Sequence, residues 1–140
     1  MAALTARYLV DQSALARMPI ESVRQRLAPI IESGEAATCA VVELEVLYSA
    51  RNHFEHERIR SRRSLAYQHV SLTEEIFQRA IAVQGELARR GQHRLPIPDL
   101  IIAAAAEAEG LIVLHYDADF DLIAAVTSQN VEWVVPSGSI

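Results

Sequence analysis

Residues 8–15, Tyr-Leu-Val-Asp-Gln-Ser-Ala-Leu, are a short apolar run stopped by an acid. Tyr8 to Val10 read as a buried strand. Asp11 follows at its carboxyl end, where an unpaired charge beside buried apolar chain is costly. Outward from this stretch, apolar runs and helical periods alternate. Pro19 to Ser33 is predicted helical: proline suits a first turn, Val23, Leu27, Ile30 and Ile31 recur with helical spacing, and Gly34 stops it. Ala36 to Val41 is predicted as a second strand, Val42 to Ala50 and Asn52 to Tyr67 as helices, and His69 to Ser71 as a short strand. Thr73 caps a helix striped by Ile76, Phe77, Ala80, Ile81, Leu87 and Ala88, which ends at Arg89, Arg90 and Gly91. Pro96 and Pro98 mark a loop feeding a helix that starts near Asp99 and stops at Gly110. Leu111 to Leu114 is then a strand, Ala118 to Val126 a helix, and Val131 to Val135 a last strand with Trp133 in the core. This alternation predicts an α/β fold: a mostly parallel central sheet of four or five strands, covered by helices on both faces. Ligands of such sheets bind at the carboxyl ends of the strands.

At 140 residues the chain is expected to form a single domain over 1–140. A hydrophobic share of 51% excludes a disordered tail. All 13 basic residues are Arg, against 18 acids, for a net charge of −5. Without Lys, the P-loop hydrolases, protein kinases and Schiff-base enzymes are excluded. The acid excess argues against a generic DNA coat, which would be basic. A lone cysteine, Cys39, forms no intrachain disulfide, and a reduced cytoplasmic compartment is expected. Residues Met1 to Gln12 lack the apolar core of a signal peptide. The longest apolar stretch, Leu100 to Ala106, falls far short of the ~20 residues that span a bilayer. No membrane association is expected.

Only five Asp occur: Asp11, Asp99, Asp117, Asp119 and Asp121. Asp11 ends the first predicted strand, and Asp117 and Asp119 follow the strand Leu111–Leu114. Asp99 begins a helix, and Glu43 and Glu45 lie where the second strand gives way to one. In a parallel sheet strand ends and helix starts share an edge, so these carboxylates converge. Converging carboxylates resist ionisation, and hard cations with oxygen ligands, Mg²⁺ or Mn²⁺, suit such clusters. Metal-assisted phosphodiester hydrolysis then needs no Lys, Cys or His nucleophile. Helix capping is the competing role for Asp99 and Asp119, and the favoured one for Asp121. Glu43 and Glu45 point to different sides of a helix, so at most one faces the site.

These segments resemble the PIN-domain family, and more closely the VapC-type toxins of toxin–antitoxin pairs. "YLVDQSAL" is similar to the family's opening strand, with its first metal-binding Asp at Asp11 and its small hydroxyl residue at Ser13. "AVVELEVLYSA" resembles the strand-to-helix segment, and its register selects Glu45 over Glu43. "PIPDLIIAAAAEAEG" resembles the third segment, with Asp99. "LIVLHYDADF" resembles the last, with Asp117 and the additional acid Asp119. The resemblance implies a PIN-like three-layer fold and a Mg²⁺- or Mn²⁺-dependent endoribonuclease. It implies metal ligation by Asp11, Asp99 and Asp117, and an acidic catalytic set completed by Glu45 and Asp119. It also implies an RNA substrate, a cognate antitoxin that covers the site, and the homodimers and hetero-oligomers common in the family. One departure is His115, where many members carry Thr or Asn: it either bonds a carboxylate or fills space, and filling is the expectation.

RNA requires cationic contacts around an acidic centre. Arg51 to Arg63 form one cluster, expected to face solvent or a partner. Arg89, Arg90 and Arg94, just before the Pro-Ile-Pro-Asp loop, are candidates for substrate contact together with Ser13. Two other readings compete. An aspartyl-phosphate phosphatase would use Asp11 as nucleophile, but commonly needs a second Asp where Ser13 stands and a Lys. A non-catalytic binding module would use the acids to hold an ion or a basic peptide. The five proposed site acids account for the net charge: without them 13 of the 18 acids remain, against 13 Arg.

Overall fold

The structure, a computed structural model, describes residues 4–140; the first three residues of the stretch inspected for a signal peptide lie outside it. Five strands form one sheet: β1 (Tyr8–Val10), β2 (Ala36–Cys39), β3 (Gln68–Val70), β4 (Ile112–His115) and β5 (Val131–Trp133). All pairings are parallel, in the order β3-β2-β1-β4-β5. The chain builds outward from β1 on one side through β2 and β3, then crosses back to add β4 and β5 on the other. The order therefore reverses between β1 and β4, and a crevice at the carboxyl ends of these two strands is the expected ligand site.

The period of two in β1 divides the core. Leu9 packs into a cluster with Val42, Ile76, Leu87, Ile102, Phe120 and Ile123, while Tyr8 and Val10 pack on the other face with Val23, Leu27 and Leu114. Burial on both faces explains why β1 and β4 read as unbroken apolar runs. One layer contains α3 (Ala40–Leu47), α5 (Glu74–Ala88), α6 (Ile97–Ala108) and α7 (Asp119–Thr127); the other contains α1 (Gln12–Leu15) and α2 (Glu21–Glu32). The buried run Ala103–Ala106 gives α6 a flank of small side chains for close packing. Helix α4 (His53–Ala66) stands outside α3 and leads into the edge strand β3.

The three-layer fold matches the expectation, with shifts at element ends. Thr73 caps α5 as expected, its Oγ1 accepting from the Ile76 N–H at 3.3 Å. Gly34 and Gly110 sit past α2 and α6 at φ of 78° and 67°, conformations that suit glycine. The second strand ends at Cys39, and helix begins at once with Ala40. Pro19 precedes α2 instead of lying in its first turn, because Ile20 is the residue that flanks the helix. Helix α1 was not expected: four residues are too few to show a period. Trp133 lies in a strand as expected but is only half-buried, its indole N–H donating to Asp121 Oδ2 at 3.0 Å. Among the described residues no helix is long and apolar enough to cross a membrane.

Candidate active site

Asp11 leaves β1 in extended geometry and caps α1, its Oδ2 accepting from the Ser13 N–H at 3.0 Å. Its own N–H donates to the Leu114 carbonyl of β4 at 2.9 Å, so the carboxylate is fixed at the switch point. The side chain is 4% exposed, and Oδ1 has no partner. Burial raises its pKa; hydrogen bonding by Ser13 opposes this, and the charge of Asp117 adds to it. The capping role weighed for Asp99 is not the one it plays. Helix α6 begins two residues earlier, at Ile97 after Pro96, so Asp99 lies within the first turn. Its carboxyl is buried with Oδ2 unpartnered, and its pKa is pushed up to about 8 by burial first, then by Asp11, Asp117, Asp119 and Glu45.

Asp117 follows β4, and its Oδ1 accepts from the Asp119 N–H at 2.9 Å. Asp119 opens α7, and burial together with Asp117 raises its pKa. Carboxylate oxygens of Asp99, Asp117 and Asp119 lie within 4.8 Å of one another. Glu45 comes from α3; burial and then Asp11 raise its pKa, and its Oε1 is buried without a partner. The five expected acids thus come together. Among the described residues, three of the four buried side-chain polar atoms without a partner are oxygens of Asp11, Glu45 and Asp99. Unsatisfied buried acceptors are expensive, and like charges gathered at one site add to the cost. An all-oxygen donor set of this kind fits a hard divalent cation.

Glu43 belongs elsewhere. It accepts from Arg63 at 2.7–3.0 Å and from the Thr38 hydroxyl at 2.6 Å. Burial opposes its ionisation, but Arg63 and Thr38 outweigh that and hold its pKa below the usual range. The sequence carries a sign of this pairing: Ile59, Arg63 and Ala66 share one side of α4, so an Arg stands in its apolar stripe. Ser13 Oγ accepts from the Tyr116 N–H at 2.9 Å, tying α1 to the exit of β4. His115 does more than fill space. It is fully buried, and its Nδ1 accepts from the Asp117 N–H at 3.1 Å, so the proton of the neutral ring sits on Nε2. Burial lowers its pKa, and the rings of Phe120 and Trp133 lie 5.0 Å away. Arg89 pairs loosely with Glu86 at 3.7 Å. Arg90 and Arg94 are exposed, and no ion pair or hydrogen bond joins any of these three to the acids among the described residues.

A family profile described as PIN domain matches residues 8–126. The chain belongs to the PIN-domain family. Its relatives include two proteins of Mycobacterium tuberculosis: ribonuclease VapC51, 47% identical over 134 residues (96% of this chain and 97% of that one), and ribonuclease VapC21, 44% identical over 137 residues (97% and 99%). The PIN fold is also that of VapBC-1 from nontypeable Haemophilus influenzae. There the TM-score is 0.73 at 13% identity, with 91% of this chain and 97% of that one covered.

Proposed function

We propose that this protein is a Mg²⁺- or Mn²⁺-dependent endoribonuclease, the cytoplasmic toxin of a toxin–antitoxin pair, held inactive by a cognate antitoxin. The observation that carries the reading is the set of buried, unpartnered carboxylate oxygens at the switch point, in a chain whose relatives are named ribonucleases. Asp11, Asp99 and Asp117 would hold the metal: Asp99 and Asp117 have oxygens within 4.8 Å of each other and of Asp119, and Asp11 brings a buried Oδ1 with no partner. A bound divalent ion supplies charge stabilisation at the phosphoryl group and lowers the pKa of a water. Asp11 is kept rigid by its capping bond and its ladder bond to Leu114. His115 fixes the backbone at Asp117 and thereby the direction of that carboxylate. Glu45 is placed to hold or accept a proton at Oε1, since burial and Asp11 both disfavour its charge.

Metal-dependent cleavage of a panel of transfer and ribosomal RNAs tests the proposal. The wild-type chain should cut RNA in Mg²⁺ or Mn²⁺, and Asp11→Asn should not, with unchanged circular dichroism. Full activity of Asp11→Asn at the same metal concentration would sink it.

A further inference from the structure

Helix α3 has a groove on each flank, and only one belongs to the acids. The groove on the Glu45 side has a volume near 620 Å³ and reaches Gln12, Tyr48 and Ile97. The groove on the Glu43 side, near 550 Å³, lies between α3, α4 and β3 and is lined by Leu44, Leu47, His56, Arg60 and His69. The two meet at Leu44, which is 70% exposed on the crest of α3.

The charge of the second groove is opposite to that of the acidic centre. Its one carboxylate, Glu43, is neutralised by Arg63. Arg60 is exposed and has no carboxylate within 4.0 Å among the described residues, unlike Arg51 and Arg63 of the same region, which pair with Glu55 and Glu43. His69 adds N–H donors at the rim; His56 does so too, with its Nδ1 3.6 Å from Glu57. A strand of phosphates crossing α3 would find the acids on one side and the unpaired guanidinium of Arg60, with two imidazoles beside it, on the other. The two lie on opposite flanks of one helix, whose width with side chains is ~10–12 Å.

We propose that the Arg60–His56–His69 groove is a phosphate subsite for single-stranded RNA, holding the backbone across α3 from the scissile bond. The assignment rests on the ribonuclease reading above. It makes Arg60 a residue that binds substrate without taking part in the chemistry, and it gives the Arg51–Arg63 cluster a role that the sequence left to solvent or a partner.

The test uses the full chain with Mn²⁺ and RNA of two lengths: a dinucleotide, and a single strand long enough to cross α3. On the longer RNA, Arg60→Ala should raise KM about five- to tenfold with kcat unchanged, Arg60→Lys should restore much of the loss, and the slope of log affinity against log salt should fall by roughly 0.7. On the dinucleotide Arg60→Ala should have no effect. Arg24→Ala, a charge removed from α2, should change neither substrate. Equal KM values for wild type and Arg60→Ala on the longer RNA overturn the subsite while leaving the ribonuclease reading intact. Unaltered RNA kinetics with loss of binding to the cognate antitoxin would assign the groove to a protein partner instead, and also overturn it. Absence of metal-dependent cleavage by the wild-type chain would overturn the ribonuclease reading, and the subsite with it.

Discussion

Glu43 and Glu45 leave α3 two residues apart, and burial opposes the ionisation of both; only Glu43 is answered by a cation. On its side, Arg63 and Thr38 supply four contacts of 2.6–3.0 Å, and the carboxylate is settled. On the other side, Glu45 faces Asp11 and an oxygen of each has no partner. The first region ties α4 to α3 and so contributes to folding. The second spends stability on a constellation that a bound cation would make favourable. A pKa shift read alone would mark both as unusual; its direction separates them. A carboxylate held low is in a satisfied pair, while one held high is waiting for a proton or a metal.

The largest expected effect breaks the satisfied side. Arg63→Ala leaves the half-buried Glu43 with Thr38 as its one remaining partner and should cost about 2–3 kcal/mol, read as a large drop in the midpoint of thermal or urea unfolding. An unfolding free energy unchanged from wild type would show that the pair is only decorative. The mirror experiment is Asp99→Asn on the unsatisfied side. RNA cleavage should fall at least a hundredfold, since even partners outside a metal's ligand set cost 10–100-fold, while stability without metal is retained or improved. Loss of both activity and stability would make Asp99 structural.

The pH dependence should have opposite signs on the two sides. Asp99 is held at about 8 in the fold against 3.8 for an ordinary aspartate. Its native state binds the extra proton between these values. Metal-free stability is therefore fully present below about pH 4 and is lost as pH rises through 8. Glu43, held low, contributes stability that is present above pH 4.5 and is lost as pH falls through its folded value. Unfolding followed in EDTA should give a midpoint that declines between pH 5 and 8, and Glu43→Gln should remove part of the loss on the acid side. A midpoint that climbs steadily toward pH 8 in EDTA contradicts the Asp99 assignment. The smallest effect belongs to the rim. Asp121→Asn weakens one exposed bond to Trp133 and should change stability by less than about 1 kcal/mol and leave cleavage unchanged; a large loss of cleavage would place Asp121 among the functional acids.

Strands β1, β2 and β4 were legible because their runs are buried on both sheet faces, and Thr73, Gly34 and Gly110 punctuate helices with residues whose chemistry is local. The acids were legible for the same reason: each lies at the end of a predicted element, and a parallel sheet brings such ends together. What stayed hidden depends on contacts between distant residues. Arg63 in the apolar stripe of α4 signals a buried partner, but nothing in the sequence says that the partner is Glu43, twenty positions away. The backbone role of His115 depends on the turn after β4, and α1 is too short for a period. The Arg60 groove is assembled from α3, α4 and β3, whose shared charge appears only once they are packed.

On the proposed function, the five acids destabilise the fold alone and become favourable around a divalent cation. Thermal unfolding of wild type and Asp99→Asn at pH 8, with EDTA or with increasing Mn²⁺, tests it most directly. We expect the wild-type midpoint to rise with Mn²⁺ concentration, as a ligand that binds only the native state requires, and the variant to unfold at or above the wild-type temperature in EDTA with a much weaker response to Mn²⁺. A wild-type midpoint indifferent to Mn²⁺, together with a variant less stable than wild type in EDTA, would contradict it.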